Sequence, residues 1–279
     1  SNLYGNEALE GYGGAVFSGD KVITSSTTSF VENSAAVGGA IAATTSVDIS
    51  RTEFIDNSAS SFGGAILLNP QSDEKSTISN STFEDNYGGS AGGAILGNEA
   101  KLEISNTDFL YNSADVAGGA IAHGGDLEVV GSTFTGNIAS ADEAGIQEVR
   151  NWCEEEDGLD RGFCNLFSEK FDPIVDIEMD SLYGFASGGA IRVFSLAEVL
   201  SPMSESDEDQ NLLNQLPQQT VSILDSDFSQ NSAQGDGGAI FFLGLLQILG
   251  SRFEENWSLL ALFLSDSEAD SLFEVRGSG

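Results

Sequence analysis

The stretch "FSQNSAQGDGGAIFF" (Phe228–Phe242) decides the fold, because the chain writes it repeatedly. "FVENSAAVGGAIAA" begins at Phe30, "FIDNSASSFGGAILL" at Phe54 and "FLYNSADVAGGAIAH" at Phe109. Phe-x-x-Asn recurs at Phe30/Asn33, Phe54/Asn57, Phe83/Asn86, Phe109/Asn112, Phe134/Asn137, Phe228/Asn231 and Phe253/Asn256. Gly-Gly-Ala begins at Gly13, Gly38, Gly63, Gly92, Gly118, Gly188 and Gly237. The unit is about 25 residues, with longer gaps from Gly118 to Gly188 and from Gly188 to Gly237.

Working outward, apolar residues alternate with mostly polar ones upstream of each phenylalanine. Examples are Val47 and Ile49, Leu102 and Ile104, Leu127 and Val129, Val221 and Ile223, Leu246 and Ile248. Period-2 alternation marks a half-buried strand, and no regular repeat carries a helical stripe. A unit with two or three short strands and tight corners describes one coil of an all-β parallel β-helix, with like residues stacked about 4.8 Å apart. In that coil Gly-Gly supplies corner backbone that a Cβ resists. Ala fills a narrow inward position, and Ile and Phe build the core. The asparagines (Asn33, Asn57, Asn86, Asn112, Asn137, Asn231, Asn256) are expected to adopt left-handed backbone and bond coil to coil as a ladder along the axis.

Alternating GGAI and FxxN resembles the repeats of the chlamydial polymorphic outer membrane proteins, over nearly the whole chain. Ile follows Gly-Gly-Ala in six copies, and Val16 takes its place in the first. The resemblance implies a right-handed parallel β-helix displayed outside the cell with adhesive roles; the paired motif is specific for the repeat and not for any activity. No carboxy-terminal membrane barrel is visible, so autotransport is not implied.

The net charge of −34 argues against nucleic-acid or anionic-membrane partners, which need a basic face. The most apolar run, Ala239–Gly250, is shorter than the roughly 20 residues that cross a bilayer, and it carries the repeat. No membrane insertion by this segment is expected. The chain opens in "SNLYGNEALEG" and closes in "FEVRGSG", both in mid-coil. Residues 1–279 therefore read as one β-helix segment, a slice of a longer solenoid.

Two insertions interrupt it. Residues 138–187 form an acidic, cysteine-containing excursion; 195–219 form a polar one. Cys153 and Cys164 are expected to pair as a disulfide in an oxidising compartment. Glu154, Glu155, Glu156, Asp157 and Asp160 crowd together, as a solvated acidic loop or a weak calcium site, although they do not match the Asp-x-Asp-x-Asp-Gly loop. Asn80, in "NST", is the expected glycan acceptor, since the second acceptor, Asn256, belongs to the ladder.

Three functions compete. The first is a non-enzymatic extracellular structural or adhesive rod, displaying loops to other protein chains or to cell-surface and matrix components. The second is a carbohydrate-active β-helix, because many parallel β-helices act on acidic polysaccharides. Such sites need converging carboxylates, or calcium with a base. Asp48, Glu103 and Glu128 share one outward slot, and Glu53, Asp108 and Asp227 another, but Thr, Ser, Gln and Arg interrupt both. His123 reads as an incidental surface or corner residue and Arg192 as a structural ion pair. No catalytic or cofactor-binding residue is assigned, and the chain reads as no enzyme. The third is a filament subunit stacking solenoid on solenoid.

Like charges about 4.8 Å apart in one slot repel by roughly 1 kcal/mol even in water. Low salt should therefore weaken the fold, with relief by diffuse screening or by weakly held calcium. Thermal unfolding in millimolar calcium, in magnesium and in sodium of matched ionic strength separates the two: a higher midpoint in calcium alone would mark specific binding. Identical midpoints in all three would leave screening alone.

Overall fold

The computed structural model describes residues 1–19, 22–24, 27–68, 74–97, 101–140, 188–193, 220–234, 237–242 and 245–258. They form an all-β solenoid of parallel sheets. Two sheets hold eight strands and two hold seven. The first carries the phenylalanines, with Phe30, Phe54, Phe83, Phe109, Phe134, Phe228 and Phe253 in register. The second follows each asparagine, as in Ser34–Val37 and Ser58–Phe62. The third begins at the Ile of GGAI, as in Ile41–Ala43 and Ile66–Leu68. The fourth is the alternating strand, as in Val47–Ser50 and Leu102–Ser105.

Each full coil thus has four strands, where the sequence suggested two or three. The extra corner lies inside FxxN. The residue just before the asparagine takes the left-handed conformation: Glu32 (φ 53°), Asp56 (53°), Asp85 (53°), Tyr111 (56°), Gln230 (56°) and Glu255 (54°), with Gly136 in the equivalent place. This corrects the expectation that the asparagine itself occupies that region. A second left-handed corner precedes the Ser/Thr ahead of every repeat phenylalanine after Phe30, at Arg51, Asn80, Asn106, Gly131, Asp225 and Gly250.

The two glycines of GGAI are required for different reasons. The first has positive φ, as at Gly63 (63°) and Gly92 (67°), where an L side chain is strained. The second faces the next coil. A Cβ on Gly93 would sit 2.0 Å from the carbonyl oxygen of Gly119, and one on Gly64 would sit 2.1 Å from that of Gly93. No Cβ fits there, so the coils approach backbone to backbone.

Inside, like stacks on like. Adjacent phenylalanine rings lie 4.6 to 5.0 Å apart, as for Phe54–Phe83 and Phe30–Phe54, and are stacked nearly parallel. Strand pairing imposes that separation. Ala40, Ala65, Ala94, Ala120 and Ala190 are fully buried in the narrow position, beside Ile41, Ile66, Ile95, Ile121 and Ile191.

The asparagine ladder runs as the repeat spacing predicts, and it starts one coil earlier, at Asn6. Asn112 shows the rule. Its Nδ2 donates to Asn137 Oδ1 at 3.0 Å and to the Phe83 carbonyl at 3.0 Å. Its Oδ1 accepts from the backbone N–H and Nδ2 of Asn86 at 3.1 and 2.9 Å. Every polar atom of the buried amide has a partner, which is the condition for burying one. A second ladder uses hydroxyls. Thr28, Thr52, Ser81, Thr107, Ser132, Ser226 and Ser251 stand two residues before each phenylalanine. Ser132 N–H donates to Ser226 Oγ, whose hydroxyl donates to the Leu224 carbonyl.

Asn112→Leu would leave the Asn86 backbone N–H and one Asn86 Nδ2 hydrogen buried without their acceptor, and remove a donor from the Phe83 carbonyl. At about 1–3 kcal/mol for each orphaned group, the loss should be about 3 kcal/mol or more. Urea unfolding of the variant is the measurement; an unchanged midpoint would show that the ladder carries no stability.

Candidate functional site

The outward slots line up as the sequence predicts. On the fourth sheet Asp48, Thr77, Glu103 and Glu128 lie in register on successive coils. This is where carboxylates converge, and the slot is neutralised from within. Lys101 Nζ lies 2.8 Å from Glu103 and 3.2 Å from Glu128, and Lys75 Nζ lies 2.8 Å from Glu103. Asp48 accepts the Thr77 hydroxyl at 3.0 Å. Hydrogen bonds from Lys101 and Lys75 hold the Glu103 carboxyl below its ordinary pKa, and Lys101 is raised by its bonds to Glu103 and Glu128. A carboxyl held ionised is the opposite of a general acid, whose pKa must rise toward working pH. On the first sheet Glu53, Asp108 and Asp227 share a slot but alternate with Thr82 and Thr133, so the acids never adjoin.

His123 is not a surface residue. It occupies an inward position of the third sheet, opposite Gly97 and Val193, and is buried. Its Nδ1 would lie 2.4 Å from a Cβ on Gly97, so the missing side chain of one coil makes room for the imidazole of the next. Nε2 is 3.2 Å from the Asp126 carbonyl, as a ring N–H donor would be. The spacing after Gly-Gly-Ala-Ile contained this signal, since the residue two beyond the Ile falls on the inner face.

Arg192 is also buried, on the outer face of the third sheet, with its guanidinium carbon 4.0 Å above the Phe241 ring. Its column belongs to a second core that the sequence reading missed. Val37, Phe62, Ala91, Val116 and Ala117 fold over the outer face and cover Ala42, Leu67, Leu96 and Ala122. The signal was present: the residue after the GGAI isoleucine is apolar in most copies, and so is the residue before the first glycine.

Asn80 stands exposed at a left-handed corner, while the neighbouring Ser81 is buried in the hydroxyl ladder. Asn256, at the last described coil, is partly buried and accepts from Asn231. Cys153, Cys164, Glu154, Glu155, Glu156, Asp157, Asp160 and the 195–219 insertion lie outside the described residues. The first insertion departs after Ser140, since Ile138–Ala139 still forms a strand of the second sheet. Among the described residues no cluster of His, Cys, Asp and Glu could hold a metal ion, and no helix is long and apolar enough to cross a membrane.

Register, ladders and corners together define a parallel β-solenoid built from one repeated sentence. The family model of the Chlamydia polymorphic membrane protein repeat matches two copies of that sentence, at residues 51–69 and 225–242. Each matched stretch spans a hydroxyl rung, a stacked phenylalanine, a ladder asparagine and the double-glycine corner. Neither the curated proteins nor the solved structures contain a match to the chain.

Because the folded-state pKa of Glu103 is depressed, its stabilisation is present above the ordinary carboxylate value, about 4.3, and is lost as pH falls through the lower folded value. The ion pairs are surface ones, so the effect should be about 0.5 kcal/mol. Glu103→Gln should lower the urea midpoint at pH 7 and at low salt, and the difference from the parent should shrink as pH falls below the ordinary carboxylate value. Equal stabilities at pH 7 would remove the ion pairs as a stabilising term.

Proposed function

We propose that this chain is a non-enzymatic rod displayed outside the cell or at its surface, where it presents outward side chains and loops to other protein chains or matrix components. The observation that supports this is the division of labour within each coil. Asparagine, hydroxyl and double-glycine positions are held constant over the described coils, and phenylalanine from Phe30 onward, whereas outward positions vary freely. A chain that holds its interior constant and changes only its surface is suited to presentation. It needs no cofactor, and a weakly held calcium would serve only to relieve charge. The repeat match adds the surface setting, since the repeat takes its name from polymorphic membrane proteins. Fully paired ladders make such a rod stiff.

The test is adhesion. Beads coated with the purified chain should bind intact cells or immobilised matrix protein saturably, and heat-unfolded chain should not. No binding to either surface would overturn the proposal. So would release of new reducing ends from a uronic-acid polysaccharide by the same preparation.

A further inference from the structure

We propose that the corner between the first and second sheets is a docking face for a basic, apolar-containing polypeptide segment lying along the solenoid axis. The inference rests on the surface-display reading and gives it a partner chemistry.

Two adjacent columns make this corner. The left-handed column reads Gly5, Glu32, Asp56, Asp85, Tyr111, Gly136, Gln230, Glu255 in coil order. The outward column of the second sheet reads Glu7, Ser34, Ser58, Tyr87, Ser113, Ile138, Ser232, Trp257. Large apolar side chains are concentrated in the later coils and stand in water: Tyr87 is 39% exposed, Tyr111 55%, Ile138 45% and Trp257 59%. The coil neighbours of Tyr87, Ile138 and Trp257 are Ser, and those of Tyr111 are Asp85 and Gly136, so the fold does not require bulk there. Tyr111 is also given room. A Cβ on Gly136 would meet its ring at 2.6 Å, so the ring reaches across the glycine of the next coil, toward the coil of Ile138.

Charge identifies the occupant. Carboxylates stand at Glu32, Asp56 and Asp85 on successive coils, just ahead of the aromatic stretch. Neither column contains Lys or Arg. The fourth sheet answers its own acids with Lys75 and Lys101; at this corner the donors are neutral, the Tyr4 hydroxyl to Glu32 and the Gln230 amide to Glu255. An arginine suits both halves of the face, stacking on aromatic rings and pairing with carboxylates. Anionic glycans and lipid headgroups are repelled. From Tyr87 to Trp257 is four coil steps, about 19 Å, the length of an extended peptide of about six residues.

The test uses a short fluorescent peptide of alternating Arg and Leu, with the purified chain at physiological salt. The expected result is saturable binding that Tyr111→Asn with Ile138→Ser weakens about tenfold, because exposed Tyr anchors dominate such interfaces. Asn tolerates left-handed backbone and Ser matches the neighbouring coils, so the variant should fold; its thermal midpoint is the check. Tyr87→Ser with Trp257→Ser, again using the residues of adjacent coils, should repeat the loss. Glu103→Gln with Glu128→Gln, on the fourth sheet, should leave binding unchanged. No binding, equal losses from both faces, or an unaffected apolar variant would overturn the proposal, the last two pointing to diffuse attraction by net charge. Binding of neutral oligosaccharides through the same tyrosines in place of the peptide would overturn it too. Chain that adheres to cells but ignores the peptide would remove this inference and leave the surface-display reading standing. Peptide binding without adhesion would do the reverse.

Discussion

Everything in this protein follows from the separation of parallel strands. At about 4.8 Å, a side chain in one coil has the same residue of the next coil as its nearest neighbour. The interior therefore accepts only residues that pack well against copies of themselves. Phenylalanine does so by stacking flat, as at Phe134 and Phe228, whose rings are 4.6 Å apart. Asparagine does so because its amide carries donor and acceptor in equal measure, so each copy satisfies the next. Aspartate in that position would place acceptor against acceptor.

The same constraint explains why long insertions are tolerated. Asn137 bonds to Asn231 as closely as Asn112 bonds to Asn137, although a sequence separation of 94 replaces one of 25. The coil closes on its neighbours whatever the chain does in between. The described coil stops at Ser140 and again at Val193, and the registers of all four sheets resume beyond the two insertions. A solenoid of this kind can change its outward residues without renegotiating its core.

Electrostatics divides the surface by face. The fourth sheet carries an internal lysine–glutamate network that the structure can explain by itself. The corner between the first and second sheets carries acids and exposed aromatic rings with no cation of its own column. Net charge alone, −34, says only that the surface is acidic; where that charge is compensated depends on which residues the coils bring side by side.

The sequence by itself determined the coil. Strict recurrence of Phe-x-x-Asn and Gly-Gly-Ala-Ile states which residues stack, because a solenoid's contacts repeat with its period. It also carried the hydroxyl ladder, in the Ser or Thr two residues before each phenylalanine, and the outer apolar column, in the residue after each isoleucine. Those went unread because they are looser in residue type than FxxN. Tertiary structure alone decided the rest. That the left-handed residue is Glu32 or Tyr111 and not the asparagine depends on where the carbonyls of the next coil sit. That His123 is buried depends on Gly97, which is distant in sequence and opposite in space. The second glycine of each pair is demanded by a backbone from another coil, a contact that no local pattern records.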